Sequence, residues 1–237
     1  MLTQKRVLAV HDISCFGKCS LTVALPILSA AGLESCCIPT AVLSTHTGGF
    51  TGYTYRDLTE DILPVARHWN SINLHFDGVY TGYLGSLSQV EILNSVLDTV
   101  SQKDTFVMVD PVMGDDGRLY AGFTEDFPGA MAALCARADI ICPNMTEAYL
   151  LLGEPYNPGP YTVEEITDLL DRLSGICPKK IVLTGVFFDE HKLGAATFDA
   201  ETGKKSLILK DKLEGFYHGT GDVYASVLFS ALMPADT

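Results

Sequence analysis

Short apolar runs alternate along this chain with segments of helical composition, and that alternation constrains its fold more than any other feature. Val7-Leu8-Ala9-Val10 precedes a helical stretch from Leu21 to Ala31 that stops at Gly32, with Pro26 expected to kink it. Asp77-Gly78-Val79-Tyr80 is followed by Ser88 to Val100, with apolar residues at helical spacing. Thr105 to Val109 reads as a buried strand closed by Asp110-Pro111. Beyond it come a helix near Glu125 to Ala136, a strand at Asp139 to Cys142, helices over Thr146 to Leu152 and Val163 to Leu173, and a strand at Ile181 to Thr184. Such alternation predicts a three-layer α/β/α sandwich with a mostly parallel central sheet and helices on both faces.

Two stretches depart from the rhythm. Thr45 to Tyr55, rich in Gly, Thr and aromatics, predicts an irregular or hairpin segment able to act as a lid. Phe187 to Leu209 alternates polar and apolar residues about a turn at Asp199 to Gly203, which predicts antiparallel edge strands.

Composition narrows the function. Of 237 residues, 47% are hydrophobic and 19% charged, the balance of a chain that buries a core. The net charge of −13 disfavours nucleic acid and anionic membranes as partners. No apolar run approaches the ~18 residues that span a bilayer, and the amino terminus shows no signal-peptide cleavage pattern. The 7 cysteines are odd in number and form no Cys-x-x-Cys, which points to a reduced, cytoplasmic setting. Cys142 reads as a core residue. Cys15 and Cys19 fall near the expected substrate pocket, where inert and reactive readings both stand.

Ligands of parallel sheets gather at the carboxyl ends of strands. His11, Asp12, Thr81, Asp110, Asn144 and Thr184 all follow predicted strands. The sharpest motif is His218-Gly219-Thr220-Gly221-Asp222, which opens a helical stretch. Glycines on either side of a threonine let backbone N–H groups converge at a helix N-terminus, and Asp222 adds a carboxylate. This is an anion hole beside a base, the pair that phosphoryl transfer to an alcohol requires. Alone, the motif is more often a structural turn, and the other motifs of the chain must carry the reading. Asp110-Pro111-Val112-Met113-Gly114 fits either a loop cap or a carboxylate acting on a metal near ATP phosphates. Asn144-Met145-Thr146-Glu147 fits a reciprocal helix cap, and also a Glu that organises Mg²⁺ through water. Gly17-Lys18-Cys19 fails as a P-loop, because Asp12 and Cys19 stand where Gly and Ser or Thr are needed.

In combination, Asp110-Pro111-Val112-Met113-Gly114, Asn144-x-x-Glu147 and Gly219-Thr220-Gly221-Asp222 resemble the ribokinase superfamily. His11 to Gly17, Ser44-Thr45-His46-Thr47-Gly48-Gly49 and Tyr80 to Ser86 make the chain most similar, within it, to the pyridoxal/pyridoxamine kinases. The resemblance implies ATP-dependent phosphorylation of the 5′-hydroxymethyl group of a B6 vitamer. Asp222 would be the base, and the amides of Gly219, Thr220 and Gly221 would hold the migrating phosphoryl. Asp12, Thr47 and Tyr83 would contact the vitamer; Asp110, Glu147 and Thr184 would contact ATP, with Asp110 and Glu147 near Mg²⁺. It also implies a homodimer and a monovalent cation such as K⁺. Asp12 stands where the family often carries serine, so a carboxylate there could pair with a ring nitrogen or an amine. The family normally continues beyond the catalytic helix, so 1–237 is read as one ribokinase-like kinase domain lacking those C-terminal helices. The rival readings are a hydroxymethylpyrimidine (phosphate) kinase and a non-catalytic vitamer-binding protein on the same fold.

Overall fold

The computed structural model describes residues 4–177, 179–215 and 217–233, and the chain divides into two compact units, 1–108 with 216–237, and 109–215.

The first unit holds β1 (Arg6–Ser14), α1 (Leu21–Ala30), β2 (Glu34–Leu43), β3 (Tyr55–Asp57), α2 (Thr59–Ser71), β4 (Gly78–Thr81) and α3 (Leu87–Val100). The chain leaves it along β5 (Phe106–Val109). It returns to this unit for its last described helix, α7 (Thr220–Leu232). Its strands lie in the order β5, β4, β1, β2, β3, with β1 parallel to both β2 and β4, and β3 antiparallel to β2. Successive residues of β1 from Val7 to Asp12 are buried, so both faces of the strand are covered. Two helix pairs supply the cover, α1 with α7 and α2 with α3.

The first strand is longer than its apolar run suggests. His11 and Asp12 therefore lie inside β1 and not after it. Opposite them stands Pro39, which has no N–H to give to the ladder, and the register shifts between His11 and Ile13 so that β2 carries one extra residue. Asp12 sits at this irregularity, where pairing is looser and its side chain can be re-aimed. Helix α1 continues through Pro26 to Ala30, and the chain then turns at Gly32, whose φ is +87°.

The second unit holds the hairpin β6 (Gly114–Asp115) and β7 (Arg118–Leu119), then α4 (Phe127–Cys135), β8 (Ile140–Ile141), α5 (Met145–Leu152), α6 (Val163–Leu173), β9 (Lys180–Val186), β10 (Lys192–Asp199) and β11 (Lys204–Asp211). Its strands run in the order β11, β10, β9, β8. β8 and β9 are parallel, whereas β10 and β11 are antiparallel, as their alternating pattern predicts. Residues 44–54 form no helix or strand, and the loop is closed at its base by Ser44 N–H donating to the Thr54 carbonyl (3.1 Å) and Thr54 N–H donating to Ser44 Oγ (2.9 Å).

Candidate active site

In the first unit, the loop between β1 and α1 lies against the start of α7. Gly17, Lys18 and Ser20 all have positive φ, at +111°, +52° and +56°. For the two non-glycine residues this backbone costs on the order of 1–2 kcal/mol each, so the loop needs fixing from outside. Its anchor is the Ser20 N–H, which donates to Asp222 Oδ2 at 3.0 Å. Gly219, at φ +75°, packs so closely on the Lys18 carbonyl that a Cβ there would collide with it. The glycine is thus required twice, for its φ and for this approach.

The amides expected to face an anion are open. Among the described residues, the N–H groups of Gly219, Thr220 and Gly221 have no acceptor, and the side chain of Gly219 offers no cap. Thr220 Oγ1 turns back to donate to the Tyr217 carbonyl at 3.3 Å. The N-terminus of α7 is therefore a free set of donors at the positive end of a helix dipole. Asp222 is half-buried beneath it. Burial pushes its carboxyl up to about 6, against the pull of the Ser20 N–H and with a further push from the charge of Asp12. A carboxylate so tuned is ionised at neutral pH yet basic enough to take a proton.

Asp12 is 4% exposed. Ser14 Oγ donates to its Oδ2 at 2.9 Å, and the Ser20 side chain also bonds to it. Burial holds its carboxyl above the usual range; the hydroxyls of Ser20 and Ser14, and His46 when it is protonated, oppose the shift. Ser20 thus joins the two carboxylates, giving its amide to Asp222 and its hydroxyl to Asp12. Beside them a cleft of about 480 Å³ is lined by Phe16, Gly17, Lys18, His46, Gly48, Gly49, Phe50, Tyr217 and His218. His46 Nδ1 accepts from Gly48 N–H at 3.1 Å, and the His46 ring stands 4.5 Å from that of His218. His46 N–H donates to the Phe16 carbonyl, which ties the 44–54 loop to the β1–α1 loop.

Of the expected vitamer contacts, Thr47 is exposed beside His46, and Tyr83 is half-buried, with its carbonyl held by Thr40 Oγ1 at 3.2 Å. Tyr83 and Asp12 are near enough for the carboxylate to raise the phenol, after the larger effect of burial and that of Tyr55. Cys19 is pushed up to about 11, by burial first and then by Asp222 and Asp12, so it is a neutral thiol at pH 7. All seven cysteines are free.

In the second unit, Asn144 and Glu147 make the reciprocal cap of α5. Asn144 Oδ1 accepts from Glu147 N–H and Glu147 Oε2 accepts from Asn144 N–H, both at 2.8 Å. Glu147 Oε1 also accepts from Met113 N–H at 3.2 Å. Burial raises this carboxyl to about 8, while the N–H donors of Asn144 and Met113 pull it back. Asn144 Nδ2 holds the Gly114 carbonyl at 3.0 Å, and Asn144 bridges Thr184, whose N–H donates to the Pro143 carbonyl at 2.9 Å. Asp110 is buried, and the charges of Asp110 and Glu147 both bear on the Cys142 thiol, which places the two carboxylates near one another. The cap explains Asn144 fully. Among the described residues no three His, Cys, Asp or Glu side chains cluster to hold a metal directly.

Ser20 and His46 escape single-residue sequence reasoning. His46 lies inside the Ser44-to-Gly49 motif, whereas Ser20 carries no sequence signal, since its importance comes from a contact 202 positions away.

A mostly parallel sheet with an open helix N-terminus over a carboxylate defines a ribokinase-like α/β phosphotransferase fold. The chain belongs to the phosphomethylpyrimidine kinase family, whose sequence profile matches residues 25–236. It is 38% identical, with a TM-score of 0.93, to a provisionally assigned phosphomethylpyrimidine kinase of Bacteroides thetaiotaomicron crystallised with pyridoxal; the match covers 99% of this chain and 82% of that one. Pyridoxal kinase from Lactobacillus plantarum is 35% identical with a TM-score of 0.88, over 97% of this chain and 81% of that one. A pyridoxal kinase of Deinococcus radiodurans is 26% identical over 97% of this chain and 79% of its own length. Among the described residues no helix is long and apolar enough to cross a membrane.

Proposed function

We propose that the protein transfers the γ-phosphoryl group of ATP to the 5′-hydroxymethyl group of a B6 vitamer. The observation that carries this reading is Asp222, a carboxylate raised to about 6 in the first turn of α7, where the amides of Gly219, Thr220 and Gly221 have no acceptor among the described residues. The relatives that act on pyridoxal supply the substrate class.

Asp222 accepts the proton of the attacking hydroxyl as the O–P bond forms. The three amides receive the charge that spreads onto the equatorial phosphoryl oxygens, which costs no reorganisation because they are already free. Asp12, Thr47 and Tyr83 orient the vitamer ring, and the 44–54 loop excludes water over it. On the second unit, Asp110, Glu147 and Thr184 are assigned to the nucleotide. Both oxygens of Glu147 already accept backbone N–H groups, so these residues suit a hydrated Mg²⁺ held through its waters, which is the ion's usual habit. When bound, Mg²⁺ neutralises phosphate charge. A monovalent cation, a homodimer and a cytoplasmic location complete the proposal.

The family description favours a second reading, phosphorylation of hydroxymethylpyrimidine, a ring of similar size bearing the same alcohol. A coupled ADP-release assay with pyridoxal, pyridoxamine and hydroxymethylpyrimidine side by side decides between them. The vitamers are expected to give the higher kcat/KM; a preference for hydroxymethylpyrimidine establishes the second reading, and no turnover of any of the three rejects both.

A further inference from the structure

The two carboxylates of the first unit lack a counter-charge. Asp12 is 4% exposed, its partners are the hydroxyls of Ser14 and Ser20, and among the described residues neither it nor Asp222 has an ion pair. Hydroxyls and amides reduce the cost of burying a carboxylate but do not cancel its charge. Two like charges joined through Ser20 therefore form a site with an electrostatic deficit, and a cation arriving with the substrate would remove it.

The surroundings indicate which kind of cation. The groups that face Asp12 are the Ser14 and Ser20 hydroxyls, Asp222 on α7, Cys19, His46, and the phenols of Tyr83 and Tyr55. Of these only His46 can become cationic; burial and His218 lower its proton affinity more than Asp12 raises it, which favours the neutral ring at pH 7. No third carboxylate or imidazole completes a metal shell around the pair among the described residues. A carboxylate among hydroxyl and phenol oxygens is instead the chemistry that receives an organic ammonium, which brings one charge and three donors. A primary ammonium, which titrates at about pH 10 as lysine does, is charged at neutral pH, where Asp222 is ionised.

We propose that Asp12 is a specificity residue that pairs with the primary ammonium of the acceptor, so the site prefers an amine-bearing vitamer, pyridoxamine, over its uncharged alcohol counterpart, pyridoxine. This rests on the B6 kinase reading above and names the member of that substrate class that the site favours.

The test is direct binding of pyridoxamine and of pyridoxine by calorimetry, without nucleotide, to the wild-type protein, Asp12→Asn and Asp12→Ser, with vitamer turnover measured alongside. Wild type is expected to bind pyridoxamine on the order of tenfold or more tighter than pyridoxine, and both substitutions are expected to bring the ratio close to one. The loss should appear in KM for pyridoxamine more than in kcat, since the contact is made in ground and transition states alike. A ratio near one in the wild type, or a ratio that survives both substitutions, overturns the proposal. Turnover is judged separately: a protein that phosphorylates vitamers without this discrimination keeps the kinase reading and loses the role of Asp12. One that binds pyridoxamine through Asp12 but phosphorylates nothing keeps the role and loses the kinase reading. Failure to bind either vitamer overturns both.

Discussion

The Ser20 amide donates to Asp222 Oδ2 at 3.0 Å, so one oxygen of the proposed base is fixed by the loop after β1 and the other is left for the substrate. That arrangement orients the carboxylate without neutralising it. Replacing Asp222 by Asn keeps an acceptor for Ser20 and removes the base. Turnover is expected to fall on the order of 100- to 10,000-fold, while the vitamer dissociation constant changes little. Wild-type kcat in an ADP-release assay would exclude Asp222 as the base.

The same carboxylate sets the acid limb of the pH profile. Asp222 accepts a proton only when ionised, and its carboxyl sits at about 6, so kcat/KM is expected to drop progressively below pH 6 and to level off above pH 7. Asp12 contributes to that elevation by its charge. In Asp12→Asn the limb is therefore expected at lower pH, and a limb that stays in place shows that the two carboxylates do not interact.

Gly219 tests the loop as a whole. An alanine there must hold a φ of +75° and drive its Cβ into the Lys18 carbonyl. The backbone term alone costs about 1–2 kcal/mol, and relieving the clash moves the strained loop that carries Ser20. Gly219→Ala is expected to lower kcat/KM on the order of 100-fold, as misplacements of about 1 Å do, and to lower the denaturation midpoint. A variant with intact kinetics but reduced stability separates the turn from the chemistry.

Much of this architecture was legible in the sequence because the strands and helices of a parallel α/β fold are written as local patterns. α6 was read over Val163 to Leu173, its observed span, because its apolar residues recur at 3.6 and Thr162 caps it. β2 and α2 were not foreseen. β2 carries Pro39 and two cysteines and lacks a clean strand alternation, whereas α2 has apolar residues at helical spacing in Ile62, Ala66 and Trp69 and is masked by Pro64, which reads as a helix breaker. Placing His11 and Asp12 beyond the first strand underestimated β1, whose polar half is buried by tertiary cover that no local pattern encodes. The Asp222 motif was readable for the same reason as α6: turn, amides and acid are contiguous. Its partner Ser20 was not, since nothing around that residue announces a bond to the far end of the chain.

Asn144 and Glu147 separate a structural from a nucleotide role. Asn144→Ala removes the acceptor for the Glu147 amide and releases the Gly114 carbonyl. Loss of the cap is expected to cost about 1 kcal/mol, read by urea unfolding. If Glu147 and Thr184 serve ATP, the KM for ATP should rise while that for the vitamer is unchanged. An unchanged KM for ATP would confine the pair to capping α5.

His11 makes a prediction about stability. Its ring is fully buried, 4.3 Å from the ring of Tyr80, and neither ring nitrogen has a partner among the described residues. Burial lowers its proton affinity to about 3. In the unfolded chain the imidazole titrates near 6.5, so between these values the unfolded state binds a proton that the folded state refuses. The contribution of His11 is therefore fully present above pH 6.5 and is lost as the pH falls toward 3, amounting to roughly 2 kcal/mol of destabilisation by pH 5. His11→Leu has no such proton to bind and leaves no orphaned nitrogens. Urea unfolding at pH 7 and pH 5 is expected to show a smaller acid-induced loss in the variant than in the wild type, by about that amount. Equal losses in the two proteins would mean that the buried ring is protonated or hydrated in the folded state.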